Sequence, residues 1–121
     1  MSVRTKRAYE PPASEDGYRV LVDRLWPRGR KKEQLQLDAW LRDLAPSGGL
    51  RKWFGHDPRR WDEFQARYRE ELAGDRQQEL LRDLAERAAD GTVTLVYGAR
   101  DEEHNDAVVL RNVLEEMSKR R

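Results

Sequence analysis

The stretch Gly91-Thr92-Val93-Thr94-Leu95-Val96-Tyr97-Gly98 decides the fold. A β-branched, apolar run lies between an Asp90-Gly91 helix stop and Gly98, and residues on both of its alternations are apolar enough for burial. A strand buried on two faces belongs inside a covered sheet, usually a parallel one. Thr92 to Tyr97 is therefore read as a central strand.

Helices flank it on both sides. Asp75 opens one whose face is Leu80, Leu81, Leu84, Ala85 and Ala88. Before it, Asp57 followed by Pro58 is an N-cap with proline in the first turn, and Trp61, Phe64, Tyr68 and Leu72 follow on one stripe up to Gly74. Trp61, Phe64 and Leu72 are expected to be buried. Ser47 caps a shorter helix carrying Leu50, Trp53 and Phe54, which Gly55 ends. On the other side, a last helix begins between Asp101 and Asn105 and buries Ala107, Leu110, Val113, Leu114 and Met117 before residues 118–121 fray as a basic tail.

Toward the start, Val3 to Tyr9 and Tyr18 to Val22 read as strands, with Pro11 to Gly17 as a surface loop between them. Residues 30–44 mix helical and strand periods, giving a short helix and one further strand. Strands interleaved with helices define the fold class as α/β: a small single-domain sandwich over residues 1–121, with a largely parallel central sheet flanked by helices. Tyr18 to Val22 is expected to run parallel to Thr92 to Tyr97.

The 121 residues allow one shared core, and therefore one site. With 24 Lys and Arg against 23 Asp and Glu, the net charge is +1, so no global field draws the chain to polyanions and any anion preference must be local. The sequence contains no cysteine, which excludes disulfides, thiolate metal sites and a thiol nucleophile and fits a reducing cytoplasm. No apolar run approaches the roughly 20 residues of a membrane span, and the start lacks a signal peptide's apolar stretch. A cytoplasmic protein without membrane contact is expected.

Two segments can carry chemistry. The first, Asp23-Arg24-Leu25-Trp26-Pro27-Arg28-Gly29, directly follows a strand. Pro27 restricts Trp26 and itself, and Gly29 permits the turn, so Arg24 and Arg28 sit on a stiff loop. Their guanidinium forks suit phosphate or carboxylate, Trp26 can stack on a ring, and Asp23 can orient one arginine. From Arg19 to Lys32 there are six cations and one anion. A plain Asp23–arginine ion pair over a packed Trp26 is the bland alternative.

The second segment, Tyr97-Gly98-Ala99-Arg100-Asp101-Glu102-Glu103-His104-Asn105, again runs from a strand end to a helix start. If the two strands are parallel neighbours, both loops meet at one sheet edge, and Tyr97, Arg100 and Asn105 complete the site. Asp101, Glu102, Glu103 and Asp106 oppose an anion there unless they face away. Histidine is the residue type whose reference pKa lies near neutrality, so His56 or His104 could serve as a general base, but a structural or surface role is the commoner one for each. Two histidines without cysteine, at no ligand spacing, imply no metal site. No phosphate-binding glycine motif, nucleophile elbow or paired-histidine helix occurs, and no cofactor is implied.

The seven-residue run from Asp23 to Gly29, preceded by Gly17-Tyr18-Arg19, resembles the hallmark of the YeaO-like proteins of domain-of-unknown-function family 488. Ala45-Pro46-Ser47, Leu50-Arg51, Trp53-Phe54, Trp61, Phe64, Tyr68, Glu71-Leu72, Leu95, Tyr97, Asn105, Ala107 and Leu110 are similar to that family in order and spacing. The resemblance implies a bacterial or archaeal cytoplasmic α/β protein and no activity. Wider relatives look as if they carry a Cys-His-Arg motif near the last helix, where this chain has Asn105-Asp106-Ala107.

The leading expectation is a site for a small anionic ligand, a nucleotide or other phosphorylated metabolite, in an enzyme or a binding domain. A nucleic-acid-binding module using the Arg19 to Lys32 stretch is the second reading. A protein-interaction subunit anchored by exposed aromatics such as Trp40 or Trp53 is the third. The sequence does not give the oligomeric state.

Overall fold

The computed structural model describes residues 2–120 and places Thr92–Tyr97 (β4) inside a four-stranded, wholly parallel sheet. Its neighbours are Ser2–Arg7 (β1) on one side and Tyr18–Leu21 (β2) on the other, with the two-residue strand Ala39–Trp40 (β3) beyond β2. The register aligns Thr5 and Val20 with Leu95, so the parallel pairing expected from the sequence is present. Val22 lies one residue past β2, yet its N–H still reaches the Val96 carbonyl at 3.1 Å.

One face of the sheet presents Val20, Val22, Val93, Leu95 and Tyr97 to a single core built with Gly48–Phe54 (α2), Trp61–Leu72 (α3), Asp75–Asp90 (α4) and Asp106–Lys119 (α5). The stops and caps act as their chemistry dictates. Ser47 Oγ accepts the Leu50 N–H, and Asp57 accepts the Arg59 N–H ahead of a short 3-10 turn, Pro58–Arg60, that leads into α3. Asn105 caps α5, so that helix starts at Asp106, just after the window expected from the sequence. It continues through Lys119, so residues 118 and 119 are helical rather than frayed, while Arg121 lies outside the described residues.

Phe64, Tyr68 and Leu72 are buried on the α3 stripe, but Trp61 at its start is only partly covered. It stacks on Phe64 with centroids 5.7 Å apart and meets the His104 ring edge-on. The expectation of a buried Trp61 is met only in part: it packs against the core from the first residue of α3 and keeps part of its surface exposed.

The opposite sheet face is covered differently. Residues 8–17 must return from the end of β1 to the start of β2 across it, and Lys32–Leu35 (α1) packs beside them. Among the described residues, Ala8, Leu21, Leu35 and Val96 form a small apolar cluster there, with Leu37 and Trp40 packed against it. The rest is polar: Arg19 and Lys6 donate to Asp16 at 2.6 and 3.0 Å, and Thr94 Oγ1 donates to the Asp16 carbonyl at 2.7 Å. The loop expected at the surface therefore ends in a buried carboxylate. Burial alone would raise the Asp16 carboxyl, but the Ala13 N–H and the Lys6 and Arg19 hydrogen bonds outweigh it and hold the group below its ordinary range. Gly17 makes this approach possible at φ 63°; a Cβ there would lie 2.2 Å from the Thr92 carbonyl oxygen.

Candidate functional site

Because every strand points the same way, the C-terminal ends of β1, β4 and β2 lie side by side, and the segments that follow them converge. A cavity of about 230 Å³ opens there. Asp23, Arg24, Leu25, Trp26, Pro27 and Arg28 line it from the loop after β2, Gly98 and Ala99 from the end of β4, and Asn105 and Asp106 from the start of α5. Tyr9 contributes after β1, and Pro46, Arg51, Phe54, His56 and Phe64 close the remaining side.

Asp23 ties the two loops together. Its Oδ2 accepts the Gly98 N–H at 2.8 Å, and its carbonyl accepts the Trp40 indole N–H at 2.7 Å. A side chain at position 98 would press on that carboxylate, since a Cβ would stand 3.3 Å from Oδ2. Trp26 donates to the Arg30 carbonyl at 2.6 Å and meets Trp40 edge-on at 5.4 Å, and Tyr9 donates to the Arg28 carbonyl at 3.0 Å. The stiffness expected from Pro27 is thus reinforced by three side-chain hydrogen bonds to main-chain carbonyls.

The arginines remain available. Arg24 donates through Nε to the Pro46 carbonyl at 3.1 Å, which fixes the stem and leaves both terminal nitrogens uncommitted. Among the described residues, the guanidiniums of Arg28 and Arg51 make no hydrogen bond, and all three side chains are exposed at the cavity mouth. Leu25, Trp26 and Tyr9 stand exposed beside them, at 58%, 36% and 39%.

Asp106 is the residue that sequence reasoning placed wrongly. As an acid at a helix start it passes for a dipole partner, but its side chain lines the cavity and meets Asp23. Burial, then the neighbouring Asp23 charge and the hydrogen bond to it, push the Asp106 carboxyl well above the ordinary range. The signal was present as Asp106 next to a capping Asn105, which sets the helix phase.

The other expected residues separate. Asn105 is 3% exposed and fully engaged: its Oδ1 accepts the Val108 N–H and its Nδ2 donates to the Asp101 carbonyl, so it holds α5 rather than presenting an amide. Tyr97 is buried in the core, where burial first and then Glu102 and Glu10 push its phenol up to about 12; it does not line the cavity. Arg100 is exposed and also outside the lining. Arg51, His56 and Asp106 stand where Tyr97 and Arg100 were expected. His56 sits at the cavity wall with φ 57°, an uncommon left-handed conformation for a non-glycine residue. His104 instead pairs with Asp101, Nδ1 to Oδ2 at 2.9 Å, away from the cavity.

Arg19, counted among the cations of a basic stretch, is 4% exposed; its Nε and Nη2 donate to the Leu35 carbonyl and its Nη1 to Asp16. It is a structural residue, which removes it from any nucleic-acid surface. No described helix is long and apolar enough to cross a membrane. No group of three or more metal-ligating side chains occurs among the described residues.

These features define a small parallel α/β domain with an arginine-rimmed, carboxyl-floored cavity at its strand ends. The chain belongs to the YeaO-like branch of the DUF488 family: residues 2–121 match the family described as the inactive DUF488-N3 subclade. It is 43% identical over 112 residues to the uncharacterized protein Rv3073c of Mycobacterium tuberculosis, covering 93% of this chain and 92% of that one. It is 42% identical over 115 residues to the uncharacterized protein YeaO of Escherichia coli, covering 94% and 97%. No solved structure matches the chain.

Proposed function

We propose that this domain binds a small phosphorylated anion in the strand-end cavity, with Arg24, Arg28 and Arg51 engaging its oxyanion. The observation that carries the reading is that three guanidiniums, two from the loop after β2 and one from α2, border one cavity with their terminal donors uncommitted. A stiff loop lowers the entropy lost on binding, and planar forks match phosphate oxygens. The lining offers no serine, threonine or cysteine nucleophile. That composition and the family's description as inactive favour binding over turnover.

The test is a thermal-shift screen of phosphorylated metabolites, followed by calorimetry on wild type, Arg24→Lys and Arg28→Lys. Lysine keeps the charge and loses the fork, so affinity should drop by about 1–3 kcal/mol with thermal stability nearly unchanged. A hit that binds all three proteins equally removes this function.

A further inference from the structure

The cavity is two-sided. Its rim is basic and exposed, whereas its inner wall joins the nearly buried rings of Phe54 and Phe64 to the carboxyls of Asp23 and Asp106. A phosphate fits the rim and is repelled by the inner wall. The Phe54 and Phe64 rings stack on each other 4.2 Å apart and offer the cavity only their margins, and an apolar margin beside acceptor oxygens suits the opposite kind of group: a planar ring whose edge carries N–H donors.

Charge leads to the same division. Arg24, Arg28 and Arg51 gather three positive charges at the exposed mouth, while Asp23 and Asp106 are only partly exposed. A phosphate monoester dianion is drawn to the arginines and away from the acids. Asp23 Oδ2 already accepts the Gly98 N–H, and both carboxyls line the cavity, where their remaining oxygens can accept from a ligand.

Building on the phosphate reading above, we propose that the ligand is a nucleoside monophosphate, with its phosphate on the arginine rim and a donor-bearing edge of its base on the Asp23–Asp106 pair. A sugar phosphate without a base offers the carboxyl pair hydroxyl donors but no planar edge to lie against the margins of Phe54 and Phe64. Inorganic phosphate engages the rim alone.

Calorimetry on the wild-type protein with the adenosine, guanosine, cytidine and uridine monophosphates, ribose 5-phosphate and inorganic phosphate decides between these. At least one nucleotide should bind tenfold or more tightly than ribose 5-phosphate. Asp106→Ala should bring that nucleotide to within threefold of ribose 5-phosphate while moving the affinity for ribose 5-phosphate less than twofold. Arg24→Lys should weaken both ligands alike. If ribose 5-phosphate or inorganic phosphate matches every nucleotide, the base assignment falls and the phosphate reading stands. If no phosphorylated compound binds at millimolar concentration, both fall. The first comparison needs no variant, so it holds even should Asp106→Ala fold poorly.

Discussion

Two acid–arginine groupings bracket the same strand, and they are opposites. Before and within β2, Asp16 and Arg19 are enclosed, and Arg19 directs Nε, Nη1 and Nη2 to protein acceptors. Just after β2, Asp23 is fastened to the backbone of the neighbouring strand end, while Arg24 is anchored through Nε alone and Arg28 through none of its guanidinium nitrogens. Residue type does not separate the two groupings. The number of donors already satisfied within the protein does, and it marks the first as scaffold and the second as a site.

One substitution made on both sides is the strongest way to break the contrast. Arg19→Met should cost about 3–5 kcal/mol in chemical denaturation, because it leaves a buried carboxylate with Lys6 as its remaining cation. Gly17→Ala should cost about 3 kcal/mol by the same measurement, since the new methyl meets the Thr92 carbonyl and the backbone sits at positive φ. A loss below about 1 kcal/mol in either would mean that the enclosed cluster is soft.

Acid and base should act on the two groupings with opposite sign. The Asp16 carboxyl is held low, so its contribution is present above the ordinary carboxylate value of ~3.9 and is lost as pH falls through the lower native one. The Asp106 carboxyl is held high: the native state binds more protons than the unfolded chain, and stability declines as pH rises from ~3.9 toward the native value. Asp106→Asn removes that decline. Its stability relative to wild type should grow steadily from about pH 4 upward, as measured by urea denaturation at several pH values. A flat difference would mean that the carboxyl pair carries no strain. The smallest effect is expected for Arg24→Met, within about 0.5 kcal/mol of wild type, in contrast to the same change at Arg19.

Much of the frame was legible in the sequence. The apolar run Thr92 to Tyr97, the caps Ser47 and Asp57, and the stops Gly55 and Gly74 are local signals, and the elements they predict are present. The parallel pairing of β2 with β4 then brings the two post-strand loops together. Less legible was anything set by packing between distant elements. Arg51 and His56 reach the cavity because α2 docks its Leu50 and Phe54 face on the core, and no local pattern gives the rotation of that docking. Arg19 and Arg24 look alike as letters, and only the path of residues 8–17 across the sheet shows which one is enclosed. Asp106 was misplaced because a helix-start acid has two plausible partners, the backbone dipole and a neighbouring side chain.

The sheet order β1-β4-β2-β3 has a consequence for synthesis of the chain. The first two strands are made early, but they never touch each other, because the strand between them is encoded some seventy residues after the second. Until Thr92–Tyr97 leaves the ribosome, the nascent protein can pair only the two-residue β3 with β2. Contacts that close so late in sequence are slow to form and leave apolar edges uncovered in the meantime. Assembly of the whole sheet, and of the cavity at its strand ends, therefore waits on β4 and the helix that follows it.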